Sequence, residues 1–141
     1  MSTASATSTK NPRNPFGADP KAFIAGFIMS FHEELIGGEG DLEPVFDRFH
    51  TPDIVQTADG HRMDREKLLA HTRPVRKTKP GNRVEVHEAQ TDGDRLAARY
   101  TMHVETRKKS LAIEVYFFGR FAEDGRMRQS HMLTRTLEEP S

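Results

Sequence analysis

The sequence predicts one α+β domain in which a curved, mixed or antiparallel β-sheet wraps around three N-terminal helices. Three observations carry this. Apolar residues in the first half recur every three to four positions, as on one face of a helix. Beyond residue 82 they alternate with polar ones, the period of a half-buried strand. Three turn signals then cut the alternating stretch into long segments: Asp92-Gly93, the polar run around Lys108-Lys109, and Glu123-Asp124-Gly125.

Residues 1–17 are mostly Ser, Thr, Ala, Asn and Pro with a single Phe. That composition buries too little apolar surface to offset its ordering entropy, so a flexible tail is expected there, with the single domain over 18–137. Asp19-Pro20 opens the first helix, with Asp able to cap free N–H groups and Pro suited to the first helical position. Phe23, Phe27, Phe31 and Leu35 form one apolar row, and Ile24, Ile28 and His32 the adjacent one. Gly37-Gly38 ends it. A second helix runs from Asp41 to about Phe49, with Leu42, Val45, Phe46 and Phe49 inward. Asp53 to Thr57 reads as a strand, and Ala58-Asp59-Gly60 as a turn. Asp64 caps a third helix that Pro74 is expected to stop, and the Arg73 to Lys79 run reads as a solvated basic segment.

Arg83–Gln90, Arg95–Glu105, Leu111–Phe121 and Met127–Leu137 are the four long strands, and residues 138–141 a short C-terminal tail. Tyr100 and Met102 share the inner face of their strand with Leu96, Ala98 and Val104. Ile113, Val115 and Phe117 do so on the next. Helices segregated from a meander of long strands place the helices on one sheet face, and a bent sheet leaves a concave space beneath them.

Bulk properties exclude several functions. Lys plus Arg is 21 and Asp plus Glu is 21, so no overall field draws the chain to nucleic acid or an anionic membrane. There is no cysteine, which removes disulfides, thiolate metal sites and thiol nucleophiles together. No apolar run is long enough for a membrane helix, and Met1 to Pro15 lacks the apolar core of a signal peptide. A cytoplasmic protein is expected. The seven histidines form no close pair on one helix face and no alternation with carboxylates, so no metal site and no cofactor are expected.

Several segments resemble the nuclear-transport-factor-2-like superfamily, which includes the SnoaL-like polyketide cyclases and the ketosteroid isomerases. Phe49-His50-Thr51-Pro52-Asp53-Ile54-Val55 is similar to its passage from second helix to first strand. Asp64-Arg65-Glu66-Lys67-Leu68-Leu69 is similar to its third helix. Glu114-Val115-Tyr116-Phe117-Phe118-Gly119-Arg120-Phe121, followed by Asp124-Gly125-Arg126-Met127, is similar to its last hairpin. The resemblance spans about residues 19 to 137 and implies a cone-shaped, cystatin-like architecture.

The resemblance also lets the family's chemistries be tested position by position. A steroid-isomerase mechanism needs a carboxylate base, a protonated acid and a tyrosine. Here those positions fall on Thr57, Phe117 and, within about a residue, His32. The acid/base Asp of the cyclases falls on Met132, a side chain that lines a pocket but moves no proton. The Asp-Arg-Asp arrangement of epoxide hydrolases is represented only by Asp59, Arg62 and Asp64, in a turn and a helix cap.

His32 remains as the candidate general acid/base; its alternative is a half-buried histidine bonded to a backbone carbonyl. His71 is weighed at the pocket mouth or on the surface, and His103 on the outer sheet face. If Phe117 faces Met132, then Ser130, Met132 and Thr134 line the pocket and His131 points out; a bulge at the Gly125 turn would put His131 and Gln129 inside. The resemblance favours the first register. The expected pocket therefore comprises Gln56, Tyr100, Met102, Ile113, Val115, Phe117, Ser130, Met132 and Thr134 with His32. Its expected occupant is a small hydrophobic or aromatic molecule of the polyketide or terpenoid kind. Three functions stay open: ligand binding without chemistry, a cofactor-independent isomerase, cyclase or dehydratase using His32, and an interaction module. A homodimer is expected through the outer face, at Arg99, Thr101, His103, Glu114, Tyr116 and Phe118, where two aromatics stand among charges.

Overall fold

A computed structural model of the chain describes residues 15–137. The expectations for the rest of the N-terminal tail and for the C-terminal tail lie outside the described residues. Three helices and six strands follow one another as α1 (Pro20–Gly37), α2 (Leu42–Phe49), β1 (His50–Ala58), β2 (His61–Asp64), α3 (Arg65–Thr78), β3 (Gly81–Asp92), β4 (Arg95–Glu105), β5 (Ser110–Phe121) and β6 (Met127–Leu137). The strands form one sheet in the order β2-β1-β6-β5-β4-β3, with β1 and β6 parallel and every other pair antiparallel. The fold is α+β, and the helices cover the concave face.

Local chemistry explains most boundaries. The Asp19 carboxylate accepts from the Ala22 N–H at 3.1 Å and Pro20 occupies the first turn of α1. Asp64 caps α3 by accepting from the Lys67 N–H at 3.0 Å. Ile24, Leu35, Phe46, Ile54, Leu96, Phe117 and Phe121 are buried, and the alternation on β4 and β5 gives the inner face its apolar side chains. Phe121 anchors an aromatic group. Phe16 and Phe27 meet it edge-on at 5.4 Å between ring centroids, and Phe23 at 5.2 Å.

Four expectations are corrected. Phe16, expected in the tail, is only 4% exposed and seats its ring against Phe23 and Phe121. An aromatic next to a polar segment finds an apolar slot that the average composition of the segment conceals. Strand β2 is an addition, because its four residues read in sequence as the approach to a helix cap. Asp59 (φ 52°) and Gly60 (φ 83°) join Ala58 to His61 as a two-residue hairpin with both φ angles positive. That is the handedness a tight hairpin requires. Helix α3 runs through Pro74 to Thr78. Proline forfeits one N–H bond, while Val75 packs on the core. The Arg76 guanidinium donates to the Leu35 carbonyl at 2.9 Å and to the Gly40 carbonyl at 2.7 Å. Arg76 therefore ties α3 to the end of α1 and does not belong to a solvated basic run. Lys79, left-handed at φ 49°, ends the helix.

The fourth correction concerns β6. Phe121 pairs with Met127 but Arg120 pairs with Gln129, so Arg128 is bulged out. Without it, Phe117 would face His131. With it, Phe117 faces Met132, Val115 faces Thr134 and His131 points outward. The bulge thus creates the register that the sequence reading sets against it.

Candidate functional site: a chamber beneath the sheet

A cavity of about 450 Å³ lies between α1, α3 and the concave face of the sheet. From α1 it receives Ile24, Phe27, Ile28, Phe31, His32 and Leu35, the two rows read from the sequence without Phe23. From the sheet it receives Gln56, Tyr100, Met102, Ile113, Val115, Phe117, Met132 and Thr134. All the expected pocket residues except Ser130 therefore converge. Ser130 shares the inner face, opposite Gly119 and beside Gln56, but it is 2% exposed, does not line the cavity, and its hydroxyl has no hydrogen-bond partner among the described residues. The lining also includes His50, Thr72, Val75, Pro80, Asn82, Val104 and Met127, which sequence reasoning does not propose.

Gly119 shapes this space. A Cβ there would stand 2.6 Å from Phe117 Cζ and 3.2 Å from Phe121 Cε1, so its lack of a side chain lets the Phe117 ring lie across the strand. The cavity is open toward the solvent, and Thr134 is the exposed residue of its lining.

No Asp, Glu, Lys or Arg lines the chamber among the described residues. His32 is buried and its Nε2 lies 3.0 Å from the Pro80 carbonyl oxygen. A carbonyl only accepts, so Nε2 carries the proton and Nδ1 of the neutral ring keeps its lone pair. Both sequence readings of His32 meet here: it bonds a backbone carbonyl and it lines the cavity.

His50 repeats the arrangement with the nitrogens exchanged. Its Nδ1 donates to the Phe46 carbonyl at 2.9 Å, leaving Nε2 as the acceptor. The ring stacks on Phe46, four residues earlier, at 4.0 Å and 13°, with Phe27 and Phe31 edge-on. Burial lowers its pKa to about 4, against the Phe46 bond and the nearby Asp47, which both raise it. The i,i+4 spacing at the end of an apolar helix is a readable signal for its position. Asn82 is readable too, since the inner phase of Val84 and Val86 extends back to it.

Tyr100 is buried, and that burial pushes its phenol further toward the neutral form. Gln56 directs its amide N–H at the Met132 thioether, 3.9 Å away. Thr57, at the isomerase base position, faces a groove on the opposite side of the sheet with Arg62, Arg120 and Arg128. Asp59 accepts from the Thr134 N–H (2.8 Å) and hydroxyl (2.5 Å), and Asp64 is spent on its cap, so neither carboxylate faces a substrate. His61, His71 and His131 are exposed, and His103 contacts Glu85 at 3.4 Å on the outer face. Among the described residues no cluster of three His, Cys, Asp or Glu side chains is arranged to hold a metal.

The family model of the SnoaL-like domain matches residues 30–130, and the chain belongs to that family, within the nuclear-transport-factor-2-like fold. Among solved structures it is similar to AclR, a proposed hydroxylase from Streptomyces galilaeus (17% identity, TM-score 0.60, 82% of this chain and 78% of that one). It is also similar to an LEH-like epoxide hydrolase of M. tuberculosis (15% identity, TM-score 0.59, 83% and 86%). A third is IdmH, a proposed polyketide cyclase from Streptomyces antibioticus (20% identity, TM-score 0.57, 83% and 92%). At these identities the likeness bears on the fold alone. No match is found among curated proteins.

Proposed function

We propose that the protein binds one neutral, hydrophobic or aromatic small molecule inside the chamber, in the setting of polyketide- or terpenoid-like secondary metabolism and in the cytoplasm. The observation that carries this is the lining: a cavity of about 450 Å³, apolar over most of its wall, without a charged side chain among the described residues and with a few polar atoms left over. That volume is within the usual range for small-molecule sites. The proposed activities of AclR and IdmH support the metabolic setting by analogy only. The test is to fill the space: Val115→Trp should abolish binding of small aromatic probes, followed by calorimetry, while the protein stays folded. Unchanged probe binding would place the ligand elsewhere.

A catalytic reading rests on one further observation. His32 donates Nε2–H to a carbonyl, which fixes the ring and leaves Nδ1 as a base on a side chain that lines the cavity. An isomerase, cyclase or dehydratase working this way would lose turnover in His32→Gln yet keep ligand affinity. A non-catalytic binder would show no product with either protein.

The homodimer is proposed through the outer sheet face. Tyr116 (47% exposed), Phe118 (63%) and Leu133 (60%) adjoin one another across β5 and β6 and support it. Thr101 and Glu114, also expected in the contact, are already buried within one chain. Light scattering at rising concentration should reveal the dimer, and Phe118→Asp should dissolve it. Monomer at every concentration would refute it.

A further inference from the structure

Four polar side chains of the chamber share a direction. His32 gives its proton to the Pro80 carbonyl and His50 to the Phe46 carbonyl. Thr72 donates its hydroxyl to the Leu69 carbonyl at 3.0 Å, and Thr134 donates to Asp59. Each therefore spends its donor on the wall, and the lone pairs are what remain. Asn82 adds a buried Oδ1 with no partner among the described residues. The donors left over are the Tyr100 hydroxyl, the Asn82 amide N–H groups and a Gln56 amide that meets only a thioether. The two imidazole nitrogens of the neutral rings can only accept, whereas the amides and the phenol can serve either way.

An acceptor in an apolar wall is costly to leave unpaired, so it favours an occupant that donates to it. Two imidazole nitrogens, on α1 and at the start of β1, join the Asn82 carbonyl on β3 in setting such demands on the occupant. An ammonium could also donate, but no carboxylate faces the cavity to compensate its charge. We infer that the chamber selects a neutral ligand carrying at least two hydroxyl or N–H donors on an apolar frame, over the ether or ketone of the same shape. This rests on the proposed binding function and specifies the ligand class.

The test uses the intact protein and three probes of one frame: naphthalene, 2,7-dimethoxynaphthalene and 2,7-dihydroxynaphthalene. By calorimetry all three should bind, with the diol favoured over the diether by about tenfold or more, the equivalent of about 1.4 kcal/mol. His50→Phe and Asn82→Leu should each reduce that preference. Equal affinity for diol and diether, or preference for the diether, overturns the inference while the chamber stands. Failure of all three probes to bind overturns the binding function itself. The parent protein's ranking decides the matter even if a variant does not fold.

Discussion

The two faces of the sheet use the same strands for opposite purposes. On the inner face, no side chain among the described residues is charged where the cavity lies, and the two imidazoles are each anchored to a backbone carbonyl. On the outer face, charge is abundant and locally matched. Glu114 accepts from Arg135 at 2.8 Å and from Arg99 at 3.4 Å, and Arg99 also meets Glu88 at 2.9 Å. His87, bulged from β3, bonds Thr101 at 2.7 Å. The difference teaches that period-two alternation does more than sort apolar from polar. It delivers acceptors without charge to one side and ion pairs to the other, and a single bulged residue, Arg128, decides which member of β6 goes where.

The comparison breaks most sharply on β5. Phe121 and Phe118 are near neighbours in sequence and point to opposite sides. Phe121→Ala removes the ring that Phe16, Phe23, Phe27 and Phe117 contact. The loss should be about 3–5 kcal/mol. The Phe118 ring is 63% exposed. Phe118→Ala should therefore change monomer stability by at most about 0.5 kcal/mol. Urea denaturation of both variants measures the contrast, and similar losses would mean that the outer face is packed as the inner one is.

A smaller effect isolates the charge-free character of the inner face. His50 titrates at about 4 when folded, against 6.5 for the free side chain. Its folded pKa is lowered, so between those values the unfolded chain binds more protons and stability must rise with pH. The stability that its neutral form represents is present above about pH 6.5 and is lost progressively as pH falls to about 4. The total is about 3 kcal/mol, at about 1.4 kcal/mol per pKa unit. His50→Phe should flatten the slope of unfolding free energy against pH in that window by about one proton. An unchanged slope would assign the effect to other groups.

These effects also show how much can be read in advance. The α+β order, the helix caps at Asp19 and Asp64, and the inward sets on β4 and β5 follow from local periodicity and capping chemistry, and so does most of the cavity wall. Phe16 does not, and for His50 and Asn82 the spacing shows which way the side chain points but not that it lines a cavity, because that rests on contacts a one-dimensional pattern does not carry. Phe16 needs Phe121, which is distant in sequence, and His50 needs the phase of a short helix. Asn82 needs α1 to face it across the cavity. Pro74 shows the converse: a strong local stop signal yields to tertiary bonds made by Arg76 two positions later.

The smallest expected effect sharpens the outer face. Arg135 and Arg99 both hold the Glu114 carboxyl below the usual carboxylate range. A depressed carboxylate pKa stabilises above the unfolded value and is lost as pH falls through the folded one. Glu114→Gln keeps the shape and removes the charge, leaving the two guanidiniums across adjacent strands without their shared counter-ion. The loss should be well below that of the two inner-face changes, because water reaches Arg135, and added salt should shrink it as screening takes over. Thermal unfolding of parent and variant at low and high salt reads both. A deficit as large as that of Phe121→Ala, or one that salt leaves unchanged, would mean that the pair is part of a sealed interface. The outer face would then be covered in solution, as a dimer through Tyr116, Phe118 and Leu133 requires.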